Sequence, residues 1–272
     1  MFFSSFLGGC IMKKRREVRM SQVIGVSIFV VALFCTHAYA HYPWVNLSDY
    51  TPESGEILRI TIGWGHRYPL DGFLKSDALE SIYILGPGGK KQAVSSSSEV
   101  EFQSQEIISR PGAYIVAAKR KAGFYTKTTQ GGKRCSKKGL KNVIKCFHSH
   151  MCMKAVVNVG EGKGKVDVRI GHPMEIIPLE NPADLRAGDY LPVQVLLKGK
   201  PFKGVIYATY VGFSTEKNTF AYSTTTNRKG EGKIKILHSG VWMIKADHEE
   251  SYPDQSECDV ESFVATLTFE VK

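Results

Sequence analysis

From residue 57 onward the chain is written in short apolar runs that alternate with polar residues or are rich in β-branched side chains. Ile57–Ile62 (ILRITI) is followed by 81–85, 100–102, 113–118, 155–159 and 165–170. Gly86-Pro87-Gly88-Gly89 and Arg110-Pro111-Gly112 punctuate them. Runs of this kind, broken roughly every 8 to 15 residues by turn residues, predict strands and not helices. At Gly171-His172-Pro173 the pattern changes. Pro173, Pro178 and Pro182 keep that stretch extended, as a linker or as the first edge strand of a second domain. A new series then runs through 190–197, 205–211, 233–237, 240–246 and 263–271. Lys198-Gly199-Lys200-Pro201 and the segment 227–232 (NRKGEG) are its turns. The expected fold class is all-β, with two β-sandwich domains at 41–170 and 171–272. The second has the size and strand number of an immunoglobulin-like sandwich.

The first 40 residues read differently. Lys13, Lys14, Arg15, Arg16 and Arg19 precede an apolar stretch from Val23 to Cys35, and Ala38-Tyr39-Ala40 supplies the small-residue cleavage site. This is the layout of a secretory signal peptide (1–40), with Met12 or Met20 as alternative starts. Phe34 before Cys35 is too bulky for a lipoprotein signal. The apolar stretch falls short of the about 20 residues a membrane span needs. No later segment approaches that length, so the mature chain is expected to carry no transmembrane segment and to be periplasmic or otherwise extracytoplasmic. Cleavage after Ala40 makes His41 the first mature residue.

Charge and cysteine content follow from that cut. Five of 36 basic residues and one of 26 acidic residues precede His41, leaving 31 against 25, a formal +6. Much of the excess lies between Lys133 and Lys145, read as a solvated loop or an anion-binding surface. No nucleic-acid motif accompanies it, and no nucleic-acid partner is expected. Cys135, Cys146, Cys152 and Cys258 remain, and an even count in an exported chain points to disulfides. Cys135 paired with Cys146 or Cys152 would staple the basic loop, while Cys258 has no evident partner.

Several motifs together resemble one known family. They are Met174-Glu175-Ile176-Ile177-Pro178-Leu179, Asn181-Pro182, Leu185-x-Ala187-Gly188-Asp189, Gly199-Lys200-Pro201, Gly240-Val241-Trp242 and Ala246-Asp247-His248. At the start, His41-Tyr42-Pro43-Trp44 and Gly63-x-Gly65-His66 join them. The chain from 41 to 272 resembles the DUF4198 family, exported proteins tied to nickel or cobalt uptake. The resemblance implies a mainly β protein that handles a transition metal beside a membrane nickel/cobalt permease. It implies no enzyme.

The candidate ligands are histidines, which suit Ni²⁺, Co²⁺, Cu²⁺ and Zn²⁺. His41 at a mature N-terminus offers its α-amine and its imidazole from one residue. Pro43 at position three has no amide proton, so the chelate stops at His41 and other side chains must complete the shell. His66 ends the Gly-Trp-Gly-His segment, where two glycines permit close backbone approach. His41 and His66 are the expected metal ligands, for Ni²⁺ or Co²⁺ first, with Cu²⁺ as an alternative. His148 and His150 share a face if their segment is extended, with Cys152 as a possible third ligand, but a disulfide-bounded surface loop is the simpler reading. His248 reads as a polar strand end, and His172 and His238 as turn histidines. Trp44, Trp64 and Trp242 read as core. No GxSxG, P-loop or HExxH motif is present, and nucleophilic catalysis has no support. The expected function is a non-enzymatic metal-binding protein for nickel or cobalt uptake. The alternatives are a copper histidine-brace protein, carrier or oxidative enzyme, and a metal-free carbohydrate- or partner-binding module.

Overall fold

A computed structural model describes residues 41–104, 108, 110–161 and 164–272; the expected signal segment lies outside them. The first strands are β1 (Tyr42–Leu47), β2 (Arg59–Gly65), β3 (Gly72–Phe73), β4 (Leu79–Leu85), β5 (Lys91–Ser96) and β6 (Glu101–Ser104). Next come β7 (Gly112–Arg120), β8 (Gly123–Thr128), β9 (Gly131–Lys133), β10 (Val143–Val159), β11 (Met174–Pro178) and β12 (Tyr190–Leu197). The last are β13 (Lys200–Pro201), β14 (Val205–Tyr210), β15 (Tyr222–Thr225), β16 (Glu231–Lys235), β17 (Gly240–Ser251) and β18 (Val260–Val271). Helix among the described residues is confined to three 3-10 turns. None is long and apolar enough to cross a membrane.

The all-β expectation holds. One ladder runs β1-β2-β6-β5-β4-β7-β10-β18-β17-β14-β15, and β11, β12, β13 and β16 form a second sheet. Two cores result. In the first, Val45, Ile60, Ile62 and Phe102 meet Ile84, Val116, Met153 and Val157. In the second, Ile176, Val193, Val195 and Ile234 meet Ile206, Ile244, Leu267 and Phe269. β7 and β10 serve both. Tyr114, Val116, Met153 and Ala155 point into the first core, while Ile115 and Val156 point into the second. A strand covered on both faces needs no polar alternation, which is why Gly112–Ala118 is apolar throughout and entirely buried.

The expected boundary at 170/171 falls between β10 and β11, but backbone pairing crosses it. β10 and β18 pair in parallel from Phe147↔Val260 to Ala155↔Thr268, and His41–Lys272 forms one compact unit. The far face of β18 reaches back to β1. Thr266 Oγ1 donates to Pro43 O and Thr268 Oγ1 to Val45 O, both at 2.9 Å. Lys154 on β10 donates to Glu175 on β11 at 2.9 Å, with both side chains almost fully buried. A buried pair of this kind costs much when one partner is lost, because the other is left unpaired.

Two expectations change here, and a third is decided between its alternatives. The segment 165–170 forms no strand; the Ile170 and Gly171 amides donate to the Glu175 carboxylate, not to a ladder. Of the two readings of the proline-rich stretch, linker or first edge strand, the second holds: Met174–Pro178 is β11, at the edge of the second sheet. The disulfide joins Cys146 to Cys258 across 112 residues, leaving Cys135 exposed and Cys152 buried as free thiols. β10 starts at Val143 and takes Cys146 out of the loop and beside the segment that opens β18, with the two Cα atoms 5.0 Å apart. The basic loop is also tied down. Lys137 pairs with Asp259, and Lys145 pairs with Glu249.

Candidate metal centre

β1 and β2 pair antiparallel, with Tyr42 opposite Gly65. His41 and His66 are the next residues outward on each strand, so register alone sets them face to face. Their ring centroids lie 4.3 Å apart. Trp64 stacks on His41 at 5.6 Å with the rings nearly parallel, and the Arg120 guanidinium lies over the same indole. Trp64 is therefore part of the site wall and only half-buried. Trp44 and Trp242 are fully buried, and their indole N–H groups donate to Pro69 O and His238 O.

The two glycines of the Gly-Trp-Gly-His segment do different work. A Cβ on Gly63 would stand 2.2 Å from the Trp44 indole. Gly65 has φ +151°, and its Cβ would stand 2.3 Å from Asp71 Oδ2. That space lets the Asp71 carboxylate accept the His66 backbone N–H at 2.8 Å. This bond, helped by the nearby Arg67, holds the Asp71 carboxyl below its ordinary range.

Asn218 clamps His66 from a distant loop. Its backbone N–H donates to His66 O at 2.8 Å, and its Oδ1 lies 3.1 Å from His66 Nδ1. An amide oxygen only accepts, so with the Asn218 amide in this orientation Nδ1 carries the proton and Nε2 keeps its lone pair. A second partner that fixes the tautomer is the usual support of a metal-binding histidine. Asn218 sits at φ 53°, a left-handed conformation that asparagine adopts more readily than most residues. Nothing in the sequence linked Asn218 or Asp71 to this place; only the turn-forming character of Asn in Thr215-Glu216-Lys217-Asn218 hinted at a tight loop.

Burial lowers the His41 pKa below its ordinary value, and the charges of His66 and Lys217 push the same way against Asp71. The imidazole is thus held neutral, which is the form that binds a metal. With the α-amine that cleavage after Ala40 would free, His41 and His66 supply three nitrogens. That donor set suits Ni²⁺, Co²⁺ or Cu²⁺.

The other histidines are distributed differently. His148 and His150 are not in a surface loop; they lie within β10, on one face, with ring centroids 4.8 Å apart. Glu261 on β18 sits opposite His148 in register. Cys152 does not join them: burial pushes its thiol up to about 12, and a protonated thiol is a poor ligand. His172 is buried, with its pKa lowered by desolvation to about 4. His248 packs edge-on against Phe202, and His238 stacks on Tyr210.

The family model described as "Domain of unknown function (DUF4198)" matches residues 38–250. No curated protein matches the chain. Among solved structures, the mouse nectin-like molecule 4 ectodomain (Ig1–Ig3) aligns at 12% identity with a TM-score of 0.17. That alignment covers 84% of this chain, which spans 64% of the ectodomain's length.

Proposed function

The chain belongs to the DUF4198 family, and on that premise we propose that it is an exported, non-enzymatic protein that binds Ni²⁺ or Co²⁺ for uptake through a membrane permease. One observation carries the reading: the register of β1 and β2 brings the His41 and His66 rings to 4.3 Å. The compact unit begins at His41, the residue that cleavage after Ala40 would expose. Signal removal then creates the third nitrogen at the place where the two imidazoles already meet. The fold positions only His66, because amine and imidazole arrive joined in His41.

Outward from the site, a cleft of about 670 Å³ runs between Arg67–Leu70 and Gly212–Thr215. Leu70 and Phe213 are exposed there, which gives a permease or other partner an apolar surface beside the metal. The same three nitrogens also favour a copper reading, since Cu²⁺ binds such donors more tightly than Ni²⁺; supply and partner would then decide which metal is carried.

Equilibrium dialysis of the exported protein against Ni²⁺ tests the proposal. The expected result is an equivalent of metal that depends on His66 and disappears in His66→Ala. Retention of that equivalent in the variant would contradict the proposal.

A further inference from the structure

We infer that His148, His150 and Glu261 form a second cation site, independent of His41 and His66, that takes a Zn²⁺-like divalent ion. The three side chains offer ligand atoms that all lie within 4.8 Å of one another. Glu261 Oε1 is 2.9 Å from His150 Nε2 and 3.9 Å from His148 Nδ1. Donors sharing one tetrahedral zinc shell, at metal bonds of about 2.0–2.2 Å, stand about 3.3 Å apart. The observed separations bracket that value, and two histidines with one glutamate are a known zinc ligand set.

An ordinary His–Glu ion pair accounts for only part of this. It satisfies His150 and Glu261 but leaves His148 Nδ1 buried without a hydrogen-bond partner. Buried polar atoms in native proteins are nearly always satisfied, and here the orphaned nitrogen faces the other two donors. The surroundings hold each ligand in place. His150 stacks on Phe263 at 5.1 Å. His148 is wedged between Phe124 and Tyr252. Lys198 donates to Glu261 Oε2 at 2.9 Å, which fixes the carboxylate and leaves Oε1 for the ion. That is the part a supporting residue plays around a metal-bound carboxylate.

The two ligand-bearing strands are locked together. Cys146 precedes His148 by two residues, Cys258 precedes Glu261 by three, and the disulfide joins them. Access runs through a cavity of about 580 Å³ lined by His150, Glu261, Lys198, His172, Glu175 and Arg169. Three protein ligands leave a fourth position for water or a ligand from that cavity.

Zn²⁺ titrated by calorimetry into the oxidised chain beginning at His41 provides the test. The His66→Ala chain should still bind one equivalent of Zn²⁺. His66→Ala with His148→Ala should bind none, and Glu261→Gln should weaken this equivalent tenfold or more. Co²⁺ in the His66→Ala chain should show the intense visible bands of a tetrahedral ion, absent once His148 is replaced. An unchanged Zn²⁺ equivalent in a chain carrying His66→Ala together with His148→Ala and His150→Ala would overturn the inference. So would no Zn²⁺ binding at all in the folded His66→Ala chain. If the His148 variant does not fold, anomalous scattering at the zinc edge from wild-type crystals decides: a peak among the three side chains supports the site, and its absence overturns it. Loss of the His66-dependent equivalent alone would count against the first site and not against this one.

Discussion

His41 and His66 meet at the open end of an antiparallel strand pair, one at the start of the compact unit and the other in a loop. His148 and His150 sit two residues apart inside a 17-residue strand, beside a carboxylate supplied by a neighbouring strand. In the proposed function the first group would depend on a covalent event, signal removal, for its third donor. His66 is held by hydrogen bonds that it donates to Asp71 and Asn218. The second is complete without processing and is held by a ladder and a disulfide.

The largest expected effect separates the two regions by their attachment to the fold. Replacing Cys146 and Cys258 together by Ser removes the closure of a 112-residue loop, which the chain-entropy model values at about 4–5 kcal/mol. Denaturant titration should show a loss of that order. Metal binding at His41/His66, measured on the folded fraction, should stay within twofold of wild type. A large change at both regions would mean that they are not separately held.

Next in size is a pH effect confined to the cavity side. The folded-state pKa of His172 is about 4, against about 6.5 for a free histidine. The unfolded chain therefore binds more protons between these values, and the stability of the folded state is lost as pH falls through that window. The loss amounts to about 3 kcal/mol at pH below 4. His172→Gln should flatten the melting-temperature profile between about pH 6.5 and 4. An unchanged profile would remove this histidine from the account.

How much of this was legible in the sequence varies by residue. Most strands were, because a sheet with one solvated face keeps its alternation, as in 190–197. The approach of His41 to His66 was legible in part, since the first strands of a sandwich often pair and the glycines beside His66 permit close backbone approach, although a long loop joins β1 to β2. The strand around His148 was not. Its polar half, 143–152, lies where one face meets the cavity and Glu261, so the run has no apolar period. The Cys146–Cys258 bridge and the Glu261 ligand follow from the parallel β10–β18 register, a contact between residues more than 100 positions apart that no local pattern encodes. Asn218 was hidden for the same reason, 152 residues from His66.

Asn218 gives the smallest predicted effect and sharpens the comparison from the other side. Asn218→Ala removes the acceptor that sets the His66 tautomer and should weaken Ni²⁺ binding about tenfold, the lower end for loss of a supporting hydrogen bond. The Zn²⁺ equivalent at His148 and His150 should not change. Calorimetry on the variant checks both at once, and an unaltered Ni²⁺ affinity would show that the clamp is only structural.

The central claim rests on the α-amine of His41, and one comparison addresses it alone. Ni²⁺ is titrated at pH 8 into two chains, one starting at His41 and one keeping Ala40 in front of it. The ladder, His66, Asp71 and Asn218 are the same in both. The account predicts that the extended chain binds at least 100-fold more weakly, and that the affinity of the His41 chain falls as pH drops below about 8, where an α-amine takes up its proton. Equal affinity in the two chains would contradict it.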